Sequence, residues 1–296
     1  MQQIIYSDEN FELDEKSLIL DSEGFIPLVF WPGTPNFGDL LSPWLFKKMT
    51  GKPVKLINSN VRKFWHLPAL EKFERKALRR KHYVSIGSVI SRARNSSIVW
   101  GTGAFGTEQF CQLSYKADYR AVRGPLTRQL LKNAGINVPE IYGDPALLVQ
   151  KYYTTRPEKR YKIGVVFRWS EGKWITKKYG KDIKIINLGS ADVDNTLLDI
   201  LSCDRIITSS LHGLIIADSF GIPNAFLSSE TPKGGLFKYF DYFASVNKFR
   251  LPTLFNFDPD TIEIEHLEAA FDFDDRPINF DYQSLLGACP FLRKVI

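Results

Sequence analysis

The sequence is poor in cysteine and contains no low-complexity tract and no long apolar run. Its 296 residues include only three cysteines, and none of them forms a C-x-x-C pair. An odd number of widely spaced cysteines argues against a disulfide framework and a structural zinc site, and it suits a reducing cytosol. No run of about 18 apolar residues occurs, and the first residues lack a basic segment followed by an apolar one, so we expect neither a membrane-spanning helix nor a signal peptide.

The chain nevertheless has enough apolar material for a large core. Hydrophobic residues make up 44% of the sequence and aromatic residues 14%. This composition excludes disordered and fibrous proteins. At roughly 150 residues per domain, the length predicts two domains.

The net charge of +6 is unevenly distributed. Residues 1–27 carry a net charge of −6, residues 256–281 a net charge of −8 and residues 282–296 a net charge of +2, which leaves +18 for residues 28–255. The densest basic segment is 47–82, with twelve Lys and Arg against two Glu. The middle of the chain is therefore strongly cationic, between an acidic leader and an acidic C-terminal segment.

Part of this basic segment, around 68–81, has the apolar spacing of a helix. Three interpretations are open. The apolar stripe packs on its own domain beneath a solvated basic face, or the helix approaches an anionic membrane or a lipid diphosphate, where each base contributes roughly 1 kcal/mol. Nucleic acid is the third partner, and it is disfavoured because no RNP signature, zinc-finger spacing or basic zipper region occurs.

Apolar runs and amphipathic segments alternate along the chain. Strands are predicted at 27–31, 54–57, 83–90, 97–101, 119–124, 161–167, 183–189, 204–210 and 224–228, and helices at 40–49, 125–135, 193–203, 211–221 and 258–271. This alternation favours parallel sheets covered on both faces. The expected fold class is α/β, with two Rossmann-like doubly wound domains (1–155 and 156–296) facing a cleft, as in GT-B proteins. In such folds ligands bind beyond the carboxyl ends of the strands.

Two glycine-containing segments are weighed against nucleotide-binding motifs. The segment WPGTPNFGD lacks the Lys and Ser or Thr of a phosphate loop, so a nucleotide triphosphatase is excluded. Asp39 is either an ordinary helix cap or, with Asn36 and Gly38, part of the cleft. The segment GTGAFG (101–106) has the spacing of a dinucleotide fingerprint but no suitable helix after it. Gly103 is better explained by a close backbone approach at a strand end, and it is one of the candidate substrate-binding residues.

Arg123 and His212 stand at predicted junctions between strands and helices. Arg123 in VRGPLTR is placed either to bind a carboxylate or phosphate bidentately or to form a surface salt bridge. His212 follows Ser209 and Ser210 at the start of a helix, where this fold puts its chemistry. A lone histidine is more often structural, but its position favours a functional role. The chain has no G-x-S-x-G elbow and no histidine pair with metal-ligand spacing.

Several further charged residues accompany these junctions. Arg168 follows a predicted strand of the second domain, and Lys233, Lys238 and Asp241 lie in PKGGLFKYFDYF. Lys238 and Asp241 are close at helical spacing. They form either a solvated pair or the basic wall of the cleft.

Together these motifs resemble the polysaccharide pyruvyl transferase family. The resemblance rests on NFGD, VRGPLT, YGDPALL, SSLHGLIIADSFGIP and FKYFDYF, in this order, over residues 28–247. It implies two Rossmann-like domains and the transfer of the enolpyruvyl unit of phosphoenolpyruvate to a sugar diol, with release of phosphate. The donor site would then include Asp39, Arg123, Leu211 and His212. Relatives often carry Arg where this chain has Ser210, so Arg168 or Lys233 is expected to supply that charge.

From this resemblance we expect an enzyme without metal or cofactor. His212 is the expected acid that protonates the methylene carbon, and Asp39 the expected base on the acceptor hydroxyl. The acceptor is a sugar of a surface polysaccharide, carried on a polyprenyl diphosphate at the inner face of the cell membrane. A glycosyltransferase that uses a nucleotide sugar and a catalytically silent glycan-binding relative are the alternatives.

Overall fold

The computed structural model describes residues 10–31, 33–58, 79–229 and 235–295. Lys233 and most of the predicted basic helix lie outside these residues.

The first half of the chain alternates strands with helices, as predicted. Its elements are β1 (Phe11–Leu13), β2 (Ile26–Val29), α1 (Phe37–Thr50), β3 (Val54–Leu56), β4 (His82–Val84), β5 (Ser97–Trp100), β6 (Asp118–Ala121), α2 (Pro125–Asn133) and α3 (Val149–Tyr152). The predicted strand at 83–90 is shorter than expected, because the chain turns after Val84 and enters a 3₁₀ segment at Ile90–Arg92. Local signals fix α2: Pro125 opens it and Gly135, with φ of +79°, follows its end.

The second half continues the same alternation. Its elements are β7 (Tyr161–Phe167), α4 (Gly172–Ile175), β8 (Lys178–Tyr179), β9 (Ile183–Asn187), α5 (Val193–Leu201), β10 (Cys203–Thr208), α6 (Leu211–Ser219), β11 (Asn224–Phe226), α7 (Phe237–Val246), β12 (Thr261–Ile262), α8 (Ile264–Ala270), α9 (Tyr282–Gly287) and β13 (Leu292–Lys294). The helix predicted over 258–271 is wrong in its first part, where β12 pairs with β8 instead.

Two parallel sheets organise the molecule. The first has the strand order β3-β2-β4-β5-β6 and the second the order β11-β10-β7-β9. In both sheets, the strand that comes first in sequence lies between the second and the third. The order therefore reverses between β2 and β4 in one sheet and between β7 and β10 in the other. This is the doubly wound topology of Rossmann-like α/β folds, in which the crevice at the reversal point binds ligands.

Both sheets are buried on both faces, and the alternation of side chains along each strand shows this. In β2, Leu28 packs into the largest apolar cluster while Val29 packs into a second cluster on the opposite face. In β7, Val166 joins the largest cluster while Val165 packs into a third. The largest cluster thus contains side chains of both sheets, and it ties them into a common core.

The C-terminal segment returns to the first sheet. β13 pairs antiparallel with β1. Phe291 is fully buried, and its ring centroid lies 5.1 Å from that of Phe46, 5.7 Å from that of Tyr83 and 6.0 Å from that of Trp100. Residues after 280 therefore pack on the half of the chain where the fold begins. The division into domains at residue 155 and the GT-B arrangement stay predictions.

We expect Phe291→Ala to destabilise the whole protein, because it empties a site between three aromatic rings. The loss should be about 3–5 kcal/mol in the free energy of unfolding. Chemical denaturation measured by tryptophan fluorescence tests this. The matched control is Phe110→Ala, at a side chain that is 51% exposed, for which the change should stay within about 0.5 kcal/mol. Equal small effects would mean that the C-terminal segment does not contribute to the core.

Candidate active site

A cavity of about 1150 Å³ opens where the carboxyl ends of the two sheets face each other. Its polar walls come from the segments that follow the four strands at the reversal points, from the segment 105–114 after β5, and from one helix. The segments after β2 and β4 contribute Trp31, Asn36, Asp39, Ser88 and Arg92, those after β7 and β10 contribute Arg168, Ser210, Leu211 and His212, and α7 contributes Lys238. The cavity is therefore built from both halves of the chain.

Lys238 is a cation without a counter-ion in the empty site. Within the described part of the chain its ammonium makes no hydrogen bond or salt bridge, and it lies 5.8 Å from the ring centroid of Phe105 and 5.0 Å from that of Tyr239. Burial and repulsion by Arg168 and Arg123 lower the pKa of Lys238 to about 7. An anion that binds beside this ammonium would raise its pKa and favour its charged form.

Two guanidinium groups extend the positive wall. The guanidinium of Arg92 lies 4.7 Å from the ring centroid of Trp31, and burial lowers its pKa although Asp39 acts in the opposite direction. Arg168 donates from Nη1 to the hydroxyl of Ser229 at 3.0 Å. Arg92, Arg94, Arg168 and Lys238 are the basic residues that line the cavity, against Asp39 and Glu108 as the acidic ones, so basic side chains predominate.

A buried carboxylate holds Arg168 and the end of β10 in place. Glu171 is 3% exposed, and it accepts hydrogen bonds from the backbone N–H of Arg168 and from the hydroxyls of Ser209 and Ser229. The hydroxyl of Tyr239 donates to the carbonyl of Ser209 at 2.7 Å. Ser209, which was predicted to contact the substrate, is thus buried behind the cavity wall and helps to hold this wall in place.

The N-terminus of α6 contributes partial positive charge. Ser210 is the N-cap residue, but its side chain makes no capping hydrogen bond. The N–H groups of a first helical turn lack partners within the helix, and they favour anions. Ser210, Leu211 and His212 all line the cavity, as predicted.

His212 lies at the contact between α6 and α1. A Cβ atom on Gly38 would lie only 2.1 Å from Nδ1 of His212, so the ring needs a glycine at this position. On its other side Nε2 lies 3.8 Å from Oδ2 of Asp144. Burial and the charges of Lys238 and Arg123 lower the pKa of His212 to about 3, so the ring is neutral in the empty site.

The atoms Nε2 of His212 and Oδ2 of Asp144 are both buried and have no hydrogen-bond partner in the described residues. Asp144 is fully buried, and its other oxygen accepts from the N–H of Ala146 at 3.0 Å. Burial raises the pKa of Asp144 to about 6. Each unsatisfied buried polar atom costs about 1–3 kcal/mol, so this arrangement is unfavourable for the empty protein.

Asp39 is in the first turn of α1 and faces the cavity. The N-cap of α1 is Asn36 rather than Asp39, because the side chain of Asn36 accepts from the N–H of Gly38. The amide of Asn36 also donates to Oδ2 of Asp39 at 2.7 Å. Burial raises the pKa of Asp39 to about 6, against the charges of Arg92 and Lys238. Asp39 is therefore a carboxylate at neutral pH with increased basicity.

Arg123 does not line the cavity, which corrects the expectation of direct substrate contact. It is fully buried, and its Nε donates to Oδ2 of Asp241 at 3.0 Å. Its other donors reach the hydroxyl of Ser88 and the carbonyl of Ala104, each at 2.7 Å. Asp241 also accepts from the N–H and the hydroxyl of Thr127. The ion pair of Arg123 and Asp241 links α2 to α7. Arg123 therefore influences the cavity only by long-range electrostatics and not by direct contact.

Gly103 is explained by the packing of the buried Arg123. A Cβ atom at this position would lie 2.2 Å from Cζ of Arg123, so the glycine makes room for the buried guanidinium. The close approach expected from the sequence is confirmed, and the group that approaches is a side chain of the protein itself.

Sequence reasoning missed three residues of the site: Arg92, Asp144 and Glu171. The resemblance includes YGDPALL, but Asp144 received no role because nothing local indicates that it faces His212. Glu171 follows the predicted strand 161–167 closely, which was the one available signal. Arg92 lies between the predicted strands 83–90 and 97–101, in a 3₁₀ segment that no sequence motif marked.

Among the described residues, no helix is long and apolar enough to cross a membrane. The same part of the chain contains no group of three or more His, Cys, Asp or Glu side chains that could hold a metal ion.

Comparison with known proteins agrees with the motifs. The family model described as polysaccharide pyruvyl transferase matches residues 3–231. The chain belongs to this family. It is also similar to the "Uncharacterized protein L143" of Acanthamoeba polyphaga mimivirus, with 27% identity over 172 residues, 54% of this chain and 58% of that protein. The family indicates a transferase that acts on polysaccharide, and the match spans less than two thirds of the viral relative.

We expect Lys238→Met to stabilise this pyruvyl transferase family member while it removes a binding cation. The pKa of Lys238 is about 7 in the folded protein, well below the usual lysine value of 10.5. The charged lysine therefore disfavours folding fully below pH 7, and this penalty fades as the pH rises towards 10.5. At pH 6 the variant should gain roughly 2–4 kcal/mol in the free energy of unfolding. Denaturation across pH 6–10 measures this, with the exposed Lys162→Met as control. A gain that does not shrink with rising pH would contradict the electrostatic explanation.

We expect Gly38→Ala to displace the ring of His212. The added Cβ atom would overlap Nδ1 and Cε1 of the imidazole, and overpacking of this kind costs about 1–3 kcal/mol. Gly172→Ala is the matched control, because Gly172 has helical backbone angles and no heavy atom within 4 Å of an added Cβ. That variant should be neutral or slightly stabilising. Urea denaturation compares the two, and equal stabilities would argue against the contact.

Proposed function

We propose that this protein is a pyruvyl transferase that forms a pyruvate ketal on a sugar, with phosphoenolpyruvate as donor and phosphate as product. The observation that carries the proposal is the ammonium of Lys238. It lacks a counter-ion among the described residues, faces the cavity beside His212, and its pKa is lowered by neighbouring cations. Phosphoenolpyruvate presents a phosphate and a carboxylate on three carbons, and such a ligand would neutralise this excess of positive charge.

In this proposal the cations bind the donor against the start of α6. Arg168 and Lys238 contact its phosphate and carboxylate, together with N–H groups of the first helical turn. Arg168 and Lys238 then supply the charge that relatives hold at the position of Ser210. Arg123 adds positive electrostatic potential to the donor site from the protein interior. Lys233 stays a predicted contributor outside the described residues.

His212 is the proposed acid. Burial and the nearby cations lower the pKa of His212, and the donor's negative charge acts against both, so that the imidazolium forms when the donor is bound. It gives its proton to the methylene carbon, a new C–H bond forms, and an oxocarbenium-like centre develops at the neighbouring carbon. A positioned acid of this kind contributes about 10²- to 10⁴-fold to the rate.

Asp39 is the proposed base for the acceptor. It takes the proton of one sugar hydroxyl as its oxygen bonds to the cationic carbon. The carbon–oxygen bond to phosphate then breaks, the second hydroxyl attacks, and the ketal closes. Of the two hydroxyl protons released, one restores the acid and the other leaves with phosphate. No metal or organic cofactor takes part in this scheme.

The remaining parts of the proposal concern the acceptor and the location. The first half of the chain contributes the acceptor side of a GT-B-like cleft and the second half the donor side. The acceptor is a sugar of a surface polysaccharide on a polyprenyl diphosphate, and the protein works in the cytoplasm at the inner face of the membrane. The strongly cationic segment 47–82 supports contact with anionic lipid.

The decisive experiment incubates the protein with phosphoenolpyruvate and a panel of free and lipid-linked glycans. We expect acceptor-dependent phosphate release and a product with the mass of a pyruvate ketal. At saturating phosphoenolpyruvate, kcat/KM for the acceptor should fall as the pH drops through the acidic range, because Asp39 must be ionised and burial raises its pKa to about 6. Asp39→Asn and His212→Gln should each lower kcat at least about 100-fold. Lys162→Met, an exposed charge change, should leave it unaltered.

A thermal-shift titration separates the alternatives. Stabilisation by phosphoenolpyruvate, lost in Lys238→Met, supports the proposal. Stabilisation by nucleoside diphosphates alone would favour a glycosyltransferase, because the same two-sheet crevice also suits a nucleotide sugar. Binding of phosphoenolpyruvate without phosphate release for any acceptor would favour the silent relative.

A further inference from the structure

We infer that Asp144 is a positioning residue for His212, and that the two form a dyad in which the carboxylate accepts a hydrogen bond from Nε2–H of the imidazole. This inference rests on the proposed function only for its role in catalysis. The contact itself is argued from the empty site.

The first argument is that two buried polar atoms face each other without other partners. Nε2 of His212 and Oδ2 of Asp144 are 3.8 Å apart, and neither has a hydrogen bond within the described residues. Buried polar atoms are nearly always paired, and these two are a donor and an acceptor that face each other at 3.8 Å. The backbone N–H of Gly87 also stabilises the charged form of Asp144, and a hydrogen bond to His212 requires the ring and the carboxylate to move closer together.

The second argument is that Asp144 is fixed from behind. Its Oδ1 accepts from the N–H of Ala146, and Pro145–Leu148 forms a 3₁₀ segment that packs against α6. His212 is carried by α6. The carboxylate and the ring thus belong to two segments that pack against each other. This packing limits how far apart the two groups can move.

The third argument concerns the other ring nitrogen. Nδ1 lies beside Gly38, where the missing side chain leaves space, and Nδ1 is not among the buried unsatisfied atoms although Nε2 is. A hydrogen bond at Nε2 would therefore direct Nδ1 to the cavity. In a neutral imidazole one nitrogen is a donor and the other an acceptor, so Asp144 selects the Nε2–H tautomer.

The charges around the ring make this carboxylate necessary. Lys238 and Arg123 both disfavour a positive charge on His212. Asp144 opposes them, and it is itself influenced by Arg123 and Asp241. When the donor binds, Asp144 stabilises the imidazolium from the buried side while the donor does so from the cavity.

In the proposed reaction the Nδ1–H bond breaks as the new C–H bond forms on the methylene carbon. The electron pair of that N–H bond returns to the ring, which becomes neutral with its proton on Nε2, still bonded to Asp144. A proton from an acceptor hydroxyl then restores Nδ1–H. The carboxylate stays ionised throughout, and no oxidant or other reactant is needed.

The first test is independent of any activity. Nitrogen-15 NMR of the histidine side chains at pH 8, with His212 assigned through His212→Gln, reports the tautomer of the ligand-free protein. We expect Nε2–H in the wild type and a loss of this preference in Asp144→Asn. A wild-type ring protonated on Nδ1 would overturn the dyad even if the variant failed to fold, and it would leave the proposed function standing.

The second test uses phosphoenolpyruvate as the probe. Because the acid must be protonated, kcat falls above the pKa of His212 in the complex, and Asp144→Asn should move this limb at least one pH unit lower and reduce kcat at least about 100-fold. The control is Asp192→Asn, which changes the exposed cap of α5 and should leave the profile unchanged. A less stable Asp144→Asn protein with an unshifted profile would show a structural role alone. No phosphate release by any protein would refute the proposed function, and the tautomer would still decide the dyad.

Discussion

The close contact between Gly38 and the ring of His212 is the constraint on which the site depends. It brings the N-termini of α1 and α6 together, and each of these helices follows a strand at the reversal point of its sheet. Two crevices that would otherwise be separate thereby become one cavity. Asp39 enters it from one helix and His212 from the other, so a carboxyl group and an imidazole face the same space.

The cavity and its surroundings concentrate charged and polar groups whose burial disfavours folding. Lys238 lacks a counter-ion among the described residues, and the buried atoms of His212 and Asp144 lack partners. Elsewhere in the interior, the buried pair Arg123–Asp241 is hydrogen-bonded, and Asp218 of α6 accepts from Lys248 and Arg250. Nε of Arg250 and the hydroxyl of Ser42 are also buried without a partner among the described residues. Titratable groups with strongly shifted pKa values around a cavity mark a candidate functional site.

Much of the fold followed from local patterns. The strands and helices of both halves were predicted where apolar runs, Pro125 and Gly135 marked them, because these signals act within a few residues. The segment 258–271 was only partly helical, since β8, far away in sequence, provides a pairing partner that local propensity does not contain. For the same reason nothing in the sequence predicted that Phe291 would pack between the aromatic rings of the first sheet.

The sequence by itself determined the α/β class, the family and the placement of Asp39 and His212 at helix starts, because strand ends and helix starts are encoded locally. Only the tertiary structure decided which charged groups face the cavity. Arg123 was predicted to bind substrate but turns inward to Asp241, whereas Asp144, without an assigned role, lies against His212. Whether a side chain contacts solvent or another side chain depends on residues that are far away in the sequence. Arg123 and Asp241 are 118 residues apart, and they come into contact only when the sheets pack.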